Sequence, residues 1–188
     1  IQGNITWTPT TDYVDVNPGD GEVITSIKRY SLELVVFKPN YMYRLRTSGL
    51  DPDPLIRIGT RSHESVIEGK AGLYFHHDSG FYRYSGGYPV DISRPISDVV
   101  SAIPFRRYDD IVSWKDSDHI YWSIGDLTLA ETYGDSTWRS VVLRYTESSG
   151  VWAVYSYQTE IRRAVSYVTG TSSSIIVVLN NGGMARMD

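Results

Sequence analysis

Short apolar blocks separated by polar turns run along most of this chain. In EVITSIKRYSLELVVFKPNYMYRL (residues 22–45) the pattern predicts a strand around Ser26-Ile27 and a second over LELVVF. A third, YMYRL, follows the turn Lys38-Pro39-Asn40. HESVIEGKAGLYFHHDSGFYRY (63–84) repeats that order, with Ser65-Val66 in the first strand, Leu73 in the second and FYRY as the third. DIVSWKDSDHIYWSIG (110–125) does so again around Ser113-Trp114 and Tyr121. RAVSYVTGTSSSIIVVLNNGGMARM (163–187) follows with Ser166-Tyr167, Ile175 and MARM. No window longer than about ten residues carries a convincing helical apolar period. The chain is expected to be all-β.

The four serine anchors lie 39, 48 and 53 residues apart. A repeat of roughly 40 to 50 residues with about four strands is the signature of a β-propeller blade. LVVF and IIVVL are apolar runs rather than alternations, as expected where both faces of a sheet are covered by neighbouring blades. A β-sandwich, the alternative, would show stricter alternation because one face of each strand sees water. The expected architecture is one propeller or propeller arc over residues 1–188, with about four blade repeats of antiparallel strands. YPVDIS is the expected fourth strand of the second copy. The third copy carries an inserted loop, DLTLAETYGDSTWR, and then the hairpin SVVLRYTESSGVWAVYSY. The fourth copy stops after its third strand, and ITWTP or YVDV near the start are candidates for the missing outer strand.

Bulk composition narrows the function classes. The length of 188 residues suits one well-buried domain. A net charge of −4 gives no support to bulk nucleic-acid binding, which needs a concentrated basic face. The absence of cysteine excludes disulfides and thiolate metal sites. No apolar run is long enough to span a membrane as a helix, and IQGNITWTPTT lacks the charged and apolar regions of a signal peptide.

Candidate chemistry is sparse. His76 and His77 are adjacent, and adjacent side chains on a strand face opposite ways, so they are not expected to share a metal. Asp116-Ser117-Asp118 opens like a calcium loop, but Tyr121 and Leu127 stand where the glycine and glutamate are required. Turn formation accounts for these acids. Around GDSTW, Glu131, Tyr133 and Asp135 replace the Ser, Asp and Gly of a sialidase Asp-box. The repeated serines read as small residues fitting where inner strands crowd a propeller axis. Arg106-Arg107 and Arg162-Arg163 are weak candidates for contact with a phosphate backbone, and their differing registers in the repeat argue against a ring. No catalytic residue, cofactor or metal is expected, and the chain is not expected to be an enzyme.

Several of these blocks together resemble the propeller segments of tailed-phage virion proteins, the neck and tail components of the packaged-DNA stabilisation type. The matching residues are Leu34 to Lys38, Tyr43 to Leu45, Gly59-Thr60, Ser65, Gly72 to Phe75, Gly80 to Tyr84, Ile92-Ser93 and Pro95-Ile96. Trp152 and Tyr155 match the closing strands, and the likeness covers roughly residues 21 to 160. The resemblance implies a structural protein located in the virion. It would act in assembly and in containing or passing DNA, alongside other virion proteins and in a homo-oligomeric ring. Loop 127–139 would then offer Tyr133 and Trp138 as interface residues, since aromatics dominate interface energetics. The alternative is a glycan-binding or glycan-hydrolysing propeller, with Tyr108, Asp109 and Asp110 as the sugar platform.

Overall fold

The computed structural model describes residues 14–46, 49–128, 137–169 and 172–187, with the backbone alone at 49–51, 168–169 and 172–173. The chain is all-β and forms four antiparallel sheets, each made of strands consecutive in sequence. Blade one is β1 (Ser26–Tyr30), β2 (Glu33–Phe37), β3 (Met42–Arg46) and β4 (Gly49–Ile56). Blade two is β5 (Ile67–Glu68), β6 (Leu73–His77), β7 (Gly80–Tyr84) and β8 (Val90–Asp91). Blade three is β9 (Val112–Lys115), β10 (His119–Thr128), β11 (Thr137–Thr146) and β12 (Trp152–Ser156). Blade four has three strands, β13 (Ile161–Thr169), β14 (Ser172–Leu179) and β15 (Met184–Met187).

Side chains of paired strands explain why the apolar blocks are runs. Opposite faces of β6 both need apolar residues, because Leu73 and Phe75 pack against blade one while Tyr74 packs against blade three. Between blades one and two, Val35, Phe37 and Met42 meet Leu73, Phe75 and Tyr84. The rings of Phe37 and Phe75 sit 4.9 Å apart, and the Tyr84 hydroxyl donates to Glu33. The largest cluster joins blades two and three, with Tyr74 and Phe81 against Ile120, Trp122, Ile124 and Leu143. Trp114 and Val142 then meet Ile161, Ile175 and Val177 of blade four.

The connection between blades two and three is helical, with α1 (Ser97–Ser101) followed by a 3-10 segment, Phe105–Asp110. Val99, Val100 and Ile103 from this connection are buried in the central cluster. Five residues are too few to leave a helical period in the sequence.

Several local expectations shift by a residue or an element. Ser65 lies in a 3-10 turn (His63–Ser65) just before β5, not within a strand. There its hydroxyl bonds Thr60 Oγ1 at 2.9 Å. Ser113 and Ser166 tie their inner strands to the preceding blade: Ser113 Oγ donates at 2.6 Å to Glu64 O in the 3-10 turn before β5, and Ser166 Oγ donates to Lys115 O of β9. Ser26 does something else. It pairs with Phe37, so it faces forward onto blade two, whereas Ser113 and Ser166 face backward onto the preceding blade. The inserted loop of blade three is in part a continuation of β10 and β11, where Leu127 pairs with Trp138 and is buried.

The start of the described chain lies across blade one. Val14 and Val16 pack on Val36, Tyr43 and Leu45, and Val14 to Val16 form no strand, so the described part of YVDV does not complete blade four. ITWTP lies outside the described residues. This segment is held by buried Lys38, whose Nζ donates to Asp20 at 2.7 Å and to Asn17 O at 3.2 Å. The Lys38 ammonium, helped by the Glu22 amide, holds the Asp20 carboxyl below the usual carboxylate range.

Gly59 marks the tightest backbone crossing. A Cβ there would lie 1.9 Å from Lys38 O and 2.7 Å from the Tyr41 N and O atoms, all backbone. Gly59→Ala must therefore move the chain, at an expected cost of about 1–3 kcal/mol. A thermal melt reads the loss directly, and an unchanged melting temperature would refute the crossing.

Candidate functional site

The turn residues Asp78 and Ser79 of 77-HDSG-80 help line a cleft that sets several hydroxyl groups beside two carboxylates. Its volume is about 400 Å³, and its walls include Asp78, Ser79, Asp91, Ser93, Ser97 and Tyr108. The β6–β7 hairpin supplies Asp78 and Ser79, β8 supplies Asp91, and the helical connection supplies Ser97 and Tyr108. Strand pairing of β7 with β8 places Asp91 opposite Tyr82 and so brings the two acids to one end of the blade.

Both carboxylates are already engaged. Arg61 clasps Asp78, its Nε and Nη2 donating at 3.0 and 3.2 Å, and its guanidinium lies over the Phe105 ring at 4.6 Å. Asp91 accepts from the amide and the hydroxyl of Ser93, both at 2.8 Å. Ser93 Oγ in turn accepts the Phe81 amide at 3.0 Å. Gly80 has φ +148°, and a Cβ on it would meet Ser93 Oγ at 2.3 Å, which is why a glycine closes this turn. The carboxylates thus fix loops, and a free acid–base pair of the kind glycoside hydrolysis needs is not formed by them.

The wall beneath the cleft is aromatic. His76 is buried, edge-on to Phe81 at 5.0 Å and to Tyr108 at 4.8 Å. Burial pushes its pKa down to about 3 with a smaller contribution from His77, so it stays neutral. His77 turns to the other side and bonds Ser79 Oγ at 2.8 Å. Burial also lowers its pKa and raises that of the Tyr108 phenol. Among the described residues no three His, Asp or Glu side chains gather as a metal site.

The residues singled out in sequence fall in separate places. Tyr108 does line the cleft, but its neighbours there are Asp78 and Asp91; Asp109 and Asp110 are exposed, and Asp110 lies 3.7 Å from Arg107. Arg107 also pairs with Glu160, which Arg162 approaches at 3.8 Å. The structure therefore gathers Arg107 and Arg162 around one acid at the blade three–four junction. Arg163 points the other way, 3.9 Å from Glu64, and Arg106 is exposed. Trp138 is half-buried against the central core. Tyr133 lies outside the described residues.

No protein-family model matches the chain, and no curated protein does. Among solved structures, the extracellular domain of BT4673 from B. thetaiotaomicron matches 97% of this chain and 22% of its own, with TM-score 0.58 and 13% identity. The WD40 domain of Pan2 from Neurospora crassa matches 89% of this chain and 47% of its own, with TM-score 0.53 and 13% identity. The C-terminal domain of gp131 from bacteriophage phiKZ matches 88% of this chain and 49% of its own at 12% identity, but its TM-score of 0.36 is too loose to bear on fold or role. The chain spans less than half the length of each of these three neighbours. At such identities the likeness concerns architecture alone: the four sheets form a β-propeller-like fold of the kind WD40 domains have.

Proposed function

We propose that the chain is a non-enzymatic structural component of a bacteriophage virion, working in neck or tail assembly. The observation that carries an assembly role is the fourth sheet. Its outward face leaves Val165 at 64%, Tyr167 at 38% and Ile176 at 38% exposure, an apolar surface built for contact rather than for water. The engaged state of Asp78 and Asp91 supports the non-enzymatic part. The phage assignment rests on the sequence resemblance over residues 21 to 160. It is tested by mass spectrometry on gradient-purified particles from phage carrying this gene. Recovery of the chain in several copies per particle is expected. Its confinement to the unassembled lysate would overturn the reading.

A second reading, glycan binding, is favoured by the cleft, where the Tyr108 ring stands beside Asp78 and Asp91. A glycan array probed with the wild-type chain and with Tyr108→Ala decides it. A specific hit lost in the variant supports sugar recognition, and an array without hits removes it.

A further inference from the structure

The exposed face of blade four is the next member of a series of interfaces that the fold already shows. Equivalent positions make the comparison direct. Ser113 pairs with Trp122 and Ser166 with Ile175, which puts the two inner strands in register across the repeat. Val112 and Trp114 flank Ser113 on the forward side of blade three, as Val165 and Tyr167 flank Ser166 on blade four. Blade four packs on Trp114, which is 1% exposed, and Val112 beside it is 2% exposed. The second pair stands at 64% and 38%, and with Ile176 and Met184 it forms an apolar face lacking a following blade among the described residues.

The backward side of blade one offers the complementary end. Ile27 pairs with Val36 and Leu34 with Leu45, so all four share a face. Val36 and Leu45 are covered by Val14 and Val16, but Ile27 remains 51% and Leu34 39% exposed. In the repeat this side is the one that Trp122 and Ile175 use to meet a preceding blade.

We propose that two copies of the chain join head to tail, with blade four of each copy docking on blade one of the other to close an eight-bladed ring. Eight blades lie within the range propellers use. A chain that spans 47% of a WD40 domain would, doubled, match that domain in size. Two identical heterologous contacts related by a two-fold axis close the ring and leave no free end. The proposal rests on the assembly reading for its purpose only. Absence from virions would leave the pairing intact, and a failed pairing would leave recovery from virions intact.

Sedimentation of the 188-residue chain, alone and as Val165→Glu and Ile27→Glu, tests it. Both positions are exposed in the single chain, so each variant is expected to keep the wild-type circular dichroism, with the melting temperature falling only by what the lost association contributed. The wild type is expected at twice the mass of one chain. Each variant is expected to dissociate, with association weakened at least about a hundredfold by a charge placed in an apolar contact. An equimolar mixture of the variants recovers one intact interface, and heterodimers return. A monomeric wild type, an open series of larger species, or a dimer that Val165→Glu breaks and Ile27→Glu does not, would overturn the head-to-tail ring.

Discussion

Trp122→Ala is expected to cost about 3–5 kcal/mol, the range for emptying a core tryptophan site. Trp122 is fully buried at the centre of the largest cluster. Its ring lies 4.8 Å from that of Phe81 and 5.7 Å from that of Trp152. Its indole Nε1 donates to Ser65 O at 3.1 Å across the blade two–three boundary. The substitution therefore removes packing on both blades and strands a carbonyl in the interior, two losses that add. For a chain of this size each kcal/mol lowers the melting point by about 2–4 °C, so a fall of roughly 6–20 °C is expected. Trp122→Phe separates the contributions, because it keeps much of the ring contact while losing the donor. A fall below about 3 °C for Trp122→Ala would show that the two blades do not depend on this contact.

Acid should weaken the fold well before its carboxylates titrate. His76 stays neutral when folded, with its pKa pushed down to about 3, while in the unfolded chain it takes a proton near 6.5. Between those values the unfolded state binds the extra proton, so stability is fully present above pH 6.5 and is lost as pH falls through that window. The loss from this group approaches about 1.4 kcal/mol for each pH unit below 6.5. Its Nε2 has no hydrogen-bond partner, and its ring neighbours, Phe81 and Tyr108, suit an aromatic replacement. Denaturant titrations at pH 7.5 and 4.5 should show His76→Phe losing clearly less stability than the wild type. His77, depressed in the same direction, and the other histidines are common to both proteins and cancel. Parallel losses in the two proteins would place His76 in contact with water.

The blade count and the double-sided burial were legible because they depend on local pattern. LVVF, LYF and IIVV each need neighbours on both sides, and that need survives any error of register. Which side a given residue faces was not legible. Ser26 and Ser113 each stand eight residues before an apolar strand residue, Leu34 and Tyr121, yet Ser26 pairs eleven residues ahead with Phe37 and Ser113 nine ahead with Trp122. A one-residue slip reverses every side chain of a strand, so the serine spacing could locate blades but not orient them. The cleft shows the same division. Asp78-Ser79-Gly80 announces a turn, but Asp91 joins it only through the β7–β8 pairing, and Tyr108 only through a helical connection without a sequence period.

Every ladder in the described chain links strands adjacent in sequence, and blades meet chiefly through side chains. Whole blades are therefore modular units of inheritance: duplicating or deleting one leaves every remaining ladder of hydrogen bonds intact. What such an event changes is which apolar faces meet across a blade boundary, so a new junction is tested by packing and not by hydrogen bonding.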